Sequence, residues 1–247
     1  MKFNFYVLSI CLSFALLMIS CGGDDNTTFN DVDQINTDLE IQMRVGAETL
    51  REGETYTING TVMQVNTARF YLGNITLTQD TVSIPLDDYY VVSPDNTSFN
   101  LGVFEDDSYG FSFGIGIDPV NNDQTTEDFT TRPVSDPLAV QEPSMHWNWN
   151  SGYKFLRVDG MVDTNEDGEV DTPVSYHIGG NQYFTTLNSI NSVEISAESD
   201  EIVMRFDLEQ LLAGTEIKLA QSSTGMPVTE IVDPIFNNYG QAFSIRN

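Results

Sequence analysis

Between Leu39 and Ile117 apolar residues recur at every second position, in bursts broken by Gly, Asn and Asp. Leu39, Ile41, Met43 and Val45 form one series. Tyr56-Ile58, Val62-Val65, Phe70-Leu72 and Ile75-Leu77 continue the pattern, followed by Val82-Ile84, Tyr89-Val92, Phe99-Leu101 and Tyr109 to Ile117. A period of two with β-branched and aromatic residues marks half-buried strands. Gly53-Glu54 and Asn59-Gly60 are suited to hairpin turns. Phe111, Phe113, Ile115 and Ile117 share one face, while Ser112, Gly114 and Gly116 leave room on the other for a close neighbour. The pattern predicts an all-β, β-sandwich-like domain with one short C-terminal helix. That helix is expected at Asp207 to Gly214, between strands at Ser192–Ile195 and Ile202–Phe206 on one side and, on the other, a closing strand at Phe236–Ile245 with Asn237-Asn238-Tyr239-Gly240 as an irregular entry. Asp118 to Pro143, rich in Asn, Asp, Thr and Pro, reads as a long loop ending near His146.

The first residues read differently. Lys2, the apolar run Phe3 to Ile19 and the sequence Leu17-Met18-Ile19-Ser20-Cys21 fit a bacterial lipoprotein leader, with Cys21 as the lipidated residue; a plain signal peptide or an uncleaved anchor would share the apolar run. The division expected is 1–20 signal peptide, 21–37 tether and 38–247 β domain. Cys11 would leave with the leader, so no cysteine pair would remain to staple the domain. The polar run after Cys21 includes Asp24 and Asp25, which resemble the export signal of surface lipoproteins or are simply an acidic linker. The expected location is the outer membrane, on its periplasmic or cell-surface face, with the lipid as membrane partner. The chain has 37 acidic and 10 basic residues, a formal charge of −27, which repels nucleic acid and attracts cations.

The chemistry concentrates in Met145-His146-Trp147-Asn148-Trp149-Asn150-Ser151-Gly152-Tyr153-Lys154-Phe155-Leu156, which holds both tryptophans and one of the two histidines. The other histidine, His177, follows an acidic turn that could fold the chain back beside this segment. Imidazole nitrogens bind copper, zinc, iron and nickel, and thioether and aromatic surroundings favour copper(I). Copper at His146 and His177, with Met145, Trp147 and Trp149 around it, is one reading. Core tryptophans and ordinarily hydrogen-bonded histidines are the other.

The tryptophan segment followed by His177-Ile178-Gly179 resembles the paired signature of the MbnP family, the methanobactin-associated copper-binding proteins. Phe70-Tyr71-Leu72-Gly73-Asn74-Ile75-Thr76-Leu77 and Phe113-Gly114-Ile115-Gly116-Ile117-Asp118 with Asn121 are similar to its upstream segments, so the resemblance runs from about residue 40 onward. It implies a secreted or surface β-sandwich-like domain in which histidines hold copper with help from a tryptophan oxidised to kynurenine. Carried over, His146 and His177 are the ligands, and Trp147 or Trp149 the modified position. Methanotroph members continue past the second histidine into a segment with cysteine, where this chain reads Gly180-Asn181-Gln182-Tyr183.

A second cation motif lies between the histidines. Asp163, Asn165, Asp167, Glu169 and Asp171 alternate around Gly168, like the first half of an EF-hand calcium loop, although the twelfth position is Val174. Calcium and a plain acidic turn are the two readings. No His-Glu-x-x-His pattern occurs, a serine triad would have to use one of only two histidines, and an enzyme is not expected. The leading expectation is a lipid-anchored, extracytoplasmic copper-binding protein that captures or buffers the metal. The alternative is a surface interaction or glycan-associated module with a structural calcium site, in which Trp147 and Trp149 share a strand face and stack on a sugar or fill a core.

Overall fold

The computed structural model describes residues 33–147, 152–189, 191–217 and 229–246. The leader, Cys11, Cys21 and the tether up to residue 32 lie outside these, as does Trp149. In chain order the strands are β1 Gln34–Val45, β2 Glu48–Thr49, β3 Thr55–Ile58, β4 Thr61–Gln79, β5 Val82–Leu86, β6 Tyr90–Val92, β7 Ser98–Glu105 and β8 Asp107–Ile115. After helices α1 Pro119–Asn122 and α2 Thr126–Thr130 come β9 Leu156–Val162, β10 Thr172–Ile178, β11 Thr185–Asn188, β12 Val193–Ile195 and β13 Glu201–Asp207. Helices α3 Leu208–Leu211, α4 Thr229–Asn237 and α5 Tyr239–Ala242 precede the last strand, β14 Phe243–Arg246.

The architecture is the expected all-β sandwich. One sheet runs β14-β13-β1-β2, with β7 also on β1; β1 and β13 are parallel. The other runs β10-β9-β4-β8-β11, with β3, β5 and β6 added along the length of β4 and β12 on β8. Strand β4 organises this sheet because its 19 residues outrun any one neighbour, so several strands share it. Register shifts between Val65 and Thr67 and between Gly73 and Thr76 bend it as it passes from neighbour to neighbour.

The period of two becomes burial. On β1, Thr37, Leu39, Ile41, Met43 and Val45 point inward. Phe70 of β4 meets Phe206 of β13 at 5.1 Å and Phe243 of β14 at 5.0 Å between ring centroids, joining the two sheets through an aromatic cluster. The small residues Gly114 of β8 and Gly116 just past its end admit close neighbours, as expected. A Cβ on Gly114 would stand 2.9 Å from the ring of Phe184, and one on Gly116 would stand 2.5 Å from that of Phe155. The Asn59-Gly60 turn has φ of +50° and +81° and joins β3 to β4, with Ile58 opposite Thr61.

Three expectations need correction. Gln34 to Thr37, read as tether, already belong to β1. The Asp118 to Pro143 stretch is not all loop. Asp118 caps α1 by accepting the amides of Val120 and Asn121, and Thr125 and Asp128 form a reciprocal cap on α2. Phe236 to Ile245 is not one strand, since only Phe243–Arg246 is extended. Ile231, Val232, Ile235, Tyr239 and Ala242 recur at helical spacing and are buried on one side of α4 and α5. The helix expected near Asp207 is α3, where the Asp207 side chain accepts the Glu209 amide at 3.1 Å.

Candidate functional site

Strands β9 and β10 form an antiparallel hairpin in which His177 stands opposite Arg157. At the open end of this hairpin the preceding chain makes a second, smaller one. Lys154 donates its amide to the Met145 carbonyl at 2.8 Å, Trp147 donates to Gly152 at 3.2 Å, and His146 bridges to Tyr153. Phe155 donates to the Ile178 carbonyl at 2.6 Å, which ties the two hairpins side by side. Gly179 lets them close. A Cβ there would stand 2.3 Å from the Tyr153 carbonyl oxygen and 3.1 Å from Nε1 of Trp147.

The Trp147 indole comes to rest against His177, with ring centroids 6.1 Å apart at 57°. Nε2 of His177 is 2.7 Å from Oδ1 of Asp159, and Nε of Arg157 donates to Oδ2 of Asp159 at 2.5 Å. Alternation along β9 puts Arg157 and Asp159 on the same face, beside the residue that β10 presents there. Arg157 also donates from Nη1 to the Ser144 carbonyl at 2.8 Å, and Lys154 donates to the same oxygen at 3.2 Å. Lys154 Nζ lies 5.5 Å from the centroid of the Trp147 ring. Burial pushes the Asp159 carboxyl up, but the hydrogen bond and charge of His177, with Ser175 and Arg157, outweigh it and hold the group well below the usual carboxylate range. Burial, followed by the nearby Arg157 charge, moves the Lys154 ammonium down, with Asp159 opposing.

Helix α1 buttresses the small hairpin. Asn122, 6 % exposed, accepts the Tyr153 amide at 2.9 Å and donates to Asn181 at 2.7 Å, joining the hairpin to the chain after β10. Tyr153 donates its hydroxyl to the Leu138 carbonyl at 2.8 Å and meets the Tyr71 ring edge-on at 5.5 Å. The segment between β8 and the tryptophan motif thus packs under that motif.

The sequence-predicted residues separate into groups. Trp147 and His177 come together. His146 turns Nδ1 to within 3.3 Å of the Trp147 carbonyl oxygen, on its own hairpin. Met145 is fully buried in the hydrophobic core. Trp149 lies outside the described residues. Among the described residues no three or more His, Cys, Asp or Glu side chains gather as a metal-binding group. Arg157 and Asp159, the charged partners of the cluster, were not singled out from sequence. Their signal was positional, since a hairpin centred on Asp167 sets Arg157 against His177.

At the far end of the same hairpin, the acidic turn closes on its own backbone. Asp163 accepts the amides of Glu166 at 2.6 Å and Gly168 at 2.9 Å, Asn165 accepts that of Asp167 at 3.2 Å, and Asp167 accepts that of Glu169 at 2.9 Å. Glu166 and Gly168 sit at φ of +63° and +90°. Val174, the twelfth position of the calcium-loop pattern, is 1 % exposed in the core and offers no ligand. Among the described residues, one cavity of about 320 Å³ lies beside Glu40, Arg44, Leu50 and Thr97, and one of about 300 Å³ opens beside Asn74, Tyr89, Asp118 and Asn121.

The family model for MbnP matches residues 34–230. The solved structure of MbnP from Methylosinus trichosporium is similar in fold, with a TM-score of 0.59 at 15% sequence identity, covering 87% of this chain and 99% of its own. Comparison with curated proteins gives no match.

Proposed function

Because the chain belongs to the MbnP family, we propose that it binds copper outside the cytoplasm and captures or buffers the metal without catalysing a reaction. The observation that supports this most is the contact between Trp147 and His177, which sets an imidazole nitrogen donor against an indole wall in a recess where His177 is 6 % exposed. Nitrogen donors with aromatic surroundings suit copper, and the −27 charge of the chain draws cations toward the surface. His177 is the ligand proposed first and His146, next to Trp147 in the chain, the second. Copper is cargo here, and the protein's own part is to hold the imidazole and exclude water around it. Cys21 is the proposed point of attachment to the outer membrane, on the periplasmic or cell-surface face.

Trp147 is 8 % exposed and so presents no platform on which a sugar could stack. This weighs against the glycan-associated alternative for that residue. The deciding experiment is metal analysis of protein taken from its native envelope, with copper titration of wild type and His177→Ala. One copper per chain, lost in His177→Ala, is the expected outcome. No copper at any supply level, or equal affinity in the variant, would overturn the reading. Intact mass on the same sample reads whether Trp147 or Trp149 carries added oxygen or the lower mass of kynurenine; unmodified indoles restrict the ligands to histidines and other unmodified groups.

A further inference from the structure

The contact between His177 and Asp159 decides which nitrogen of the imidazole a metal can use. Nε2 of the ring is 2.7 Å from Oδ1 of Asp159, while Oδ2 takes the Nε proton of Arg157 at 2.5 Å. Arg157 is itself pinned, through Nη1, to the Ser144 carbonyl at 2.8 Å. An ionised carboxylate can only accept hydrogen bonds. With a guanidinium on one oxygen, Asp159 is such an acceptor, so the proton of the Asp159–His177 contact sits on Nε2. In a neutral ring the lone pair is then on Nδ1. The backbone of His177 is already fixed by its pairing with Arg157 across β9 and β10, which leaves rotation of the side chain as the freedom Asp159 removes.

We infer that Asp159 is a positioning residue that holds His177 as the Nε2–H tautomer, so that copper arriving at this ring takes Nδ1, displacing whatever that nitrogen holds in the metal-free protein. The part concerning copper rests on the function proposed above; the part concerning the tautomer does not. A carboxylate behind a ligating imidazole fixes its orientation and raises its basicity, and loss of such a partner weakens metal binding by about 10–100-fold.

The test uses the full chain, first without metal. Long-range proton–nitrogen NMR correlations at about pH 8.5, above the ordinary imidazole range, read the tautomer of each histidine directly. The chain has only two histidines, and His177→Gln assigns them. Wild type is expected to show Nε2–H at His177. Asp159→Ala is expected to show a mixture of tautomers, and Asp159→Asn, whose amide can turn either its oxygen or its NH2 to the ring, an intermediate result. Competition for copper(I) against a chromogenic chelator is expected to weaken about tenfold in Asp159→Ala. An Nδ1–H ring in wild type, or His177 signals unchanged in both Asp159 variants, would overturn the positioning role. If wild type holds the Nε2–H tautomer through Asp159 yet binds no copper, the proposed function falls and the positioning role stands.

Discussion

The hairpin of β9 and β10 carries polar clusters at both ends, and the two are built on opposite principles. At the tip, Asp163, Asn165 and Asp167 turn their oxygens back onto amides two to five residues away. Everything needed is local, and the result is a turn. At the base, His177 meets Asp159 of β9 and Trp147 of the small hairpin, and Arg157, on the other oxygen of Asp159, reaches Ser144 in the chain before it, so the cluster exists only once the sheet is in register. Oxygen-rich spacing in a sequence therefore marks a calcium loop and a self-satisfied turn equally well. A histidine with long-range partners makes a more specific statement, because tertiary structure has been arranged around it.

Copper binding is where the two ends should differ most. His177→Ala is expected to weaken copper binding by about 100-fold or more, beyond what loss of an outer partner alone costs. Asp167→Ala at the tip should leave it unchanged. Titration against a competing chelator reads both variants side by side. A comparable loss at the tip would mean that bulk negative charge, rather than the imidazole, attracts the metal.

Glycines give the next contrast, in stability. A Cβ at Gly179 meets the Tyr153 carbonyl oxygen at 2.3 Å, so the small hairpin must move away from β10 to admit it. Gly179→Ala is expected to cost about 2–3 kcal/mol by urea denaturation, the scale of overpacking against a fixed neighbour. It should also disturb the Trp147 fluorescence, since the indole nitrogen lies 3.1 Å from the same Cβ. Gly168 at the tip has nothing within 4 Å of its Cβ, and only its φ of +90° opposes a side chain. Gly168→Ala should cost about 1–2 kcal/mol through backbone strain alone, with the Trp147 environment unchanged. Equal costs at the two positions would show that the base is no more tightly packed than the tip.

The same division governs what could be read in the sequence. Alternation at Phe111, Phe113, Ile115 and Ile117 and the Asn59-Gly60 turn are local signals, and both survive into the structure. The contact of Trp147 with His177 was anticipated because an acidic turn separates their segments. Arg157 and Asp159 were not, because they matter only through register. Asn122 was hidden for a related reason: its role depends on α1, whose cap at Asp118-Pro119 sits in a stretch that composition marks as loop. The C-terminal helices escaped because the apolar period of Ile231, Ile235, Tyr239 and Ala242 begins before the Phe236 to Ile245 segment that was read as a strand.

The smallest expected effect is a titration at the tip. Burial pushes the Asp163 carboxyl up, but the amides of Gly168 and Glu166, then those of Asp167 and Asn165, outweigh it and hold it below its ordinary value. A group whose pKa is lowered by folding stabilises the fold above its unfolded value, about 3.9 for Asp, and that contribution is lost as the pH falls through the lower folded value. The Gly168 amide resonance, followed by NMR from neutral pH downward, should therefore titrate with a midpoint below about 3.9, and Asp163→Asn should abolish that step. A midpoint at or above the ordinary value would mean that these amides do not hold the carboxylate in solution. Millimolar calcium sharpens the contrast between the two ends. An ion taking the Asp163 oxygens would displace the Gly168 amide and shift its resonance at neutral pH, whereas a turn satisfied by its own backbone leaves that resonance where it was.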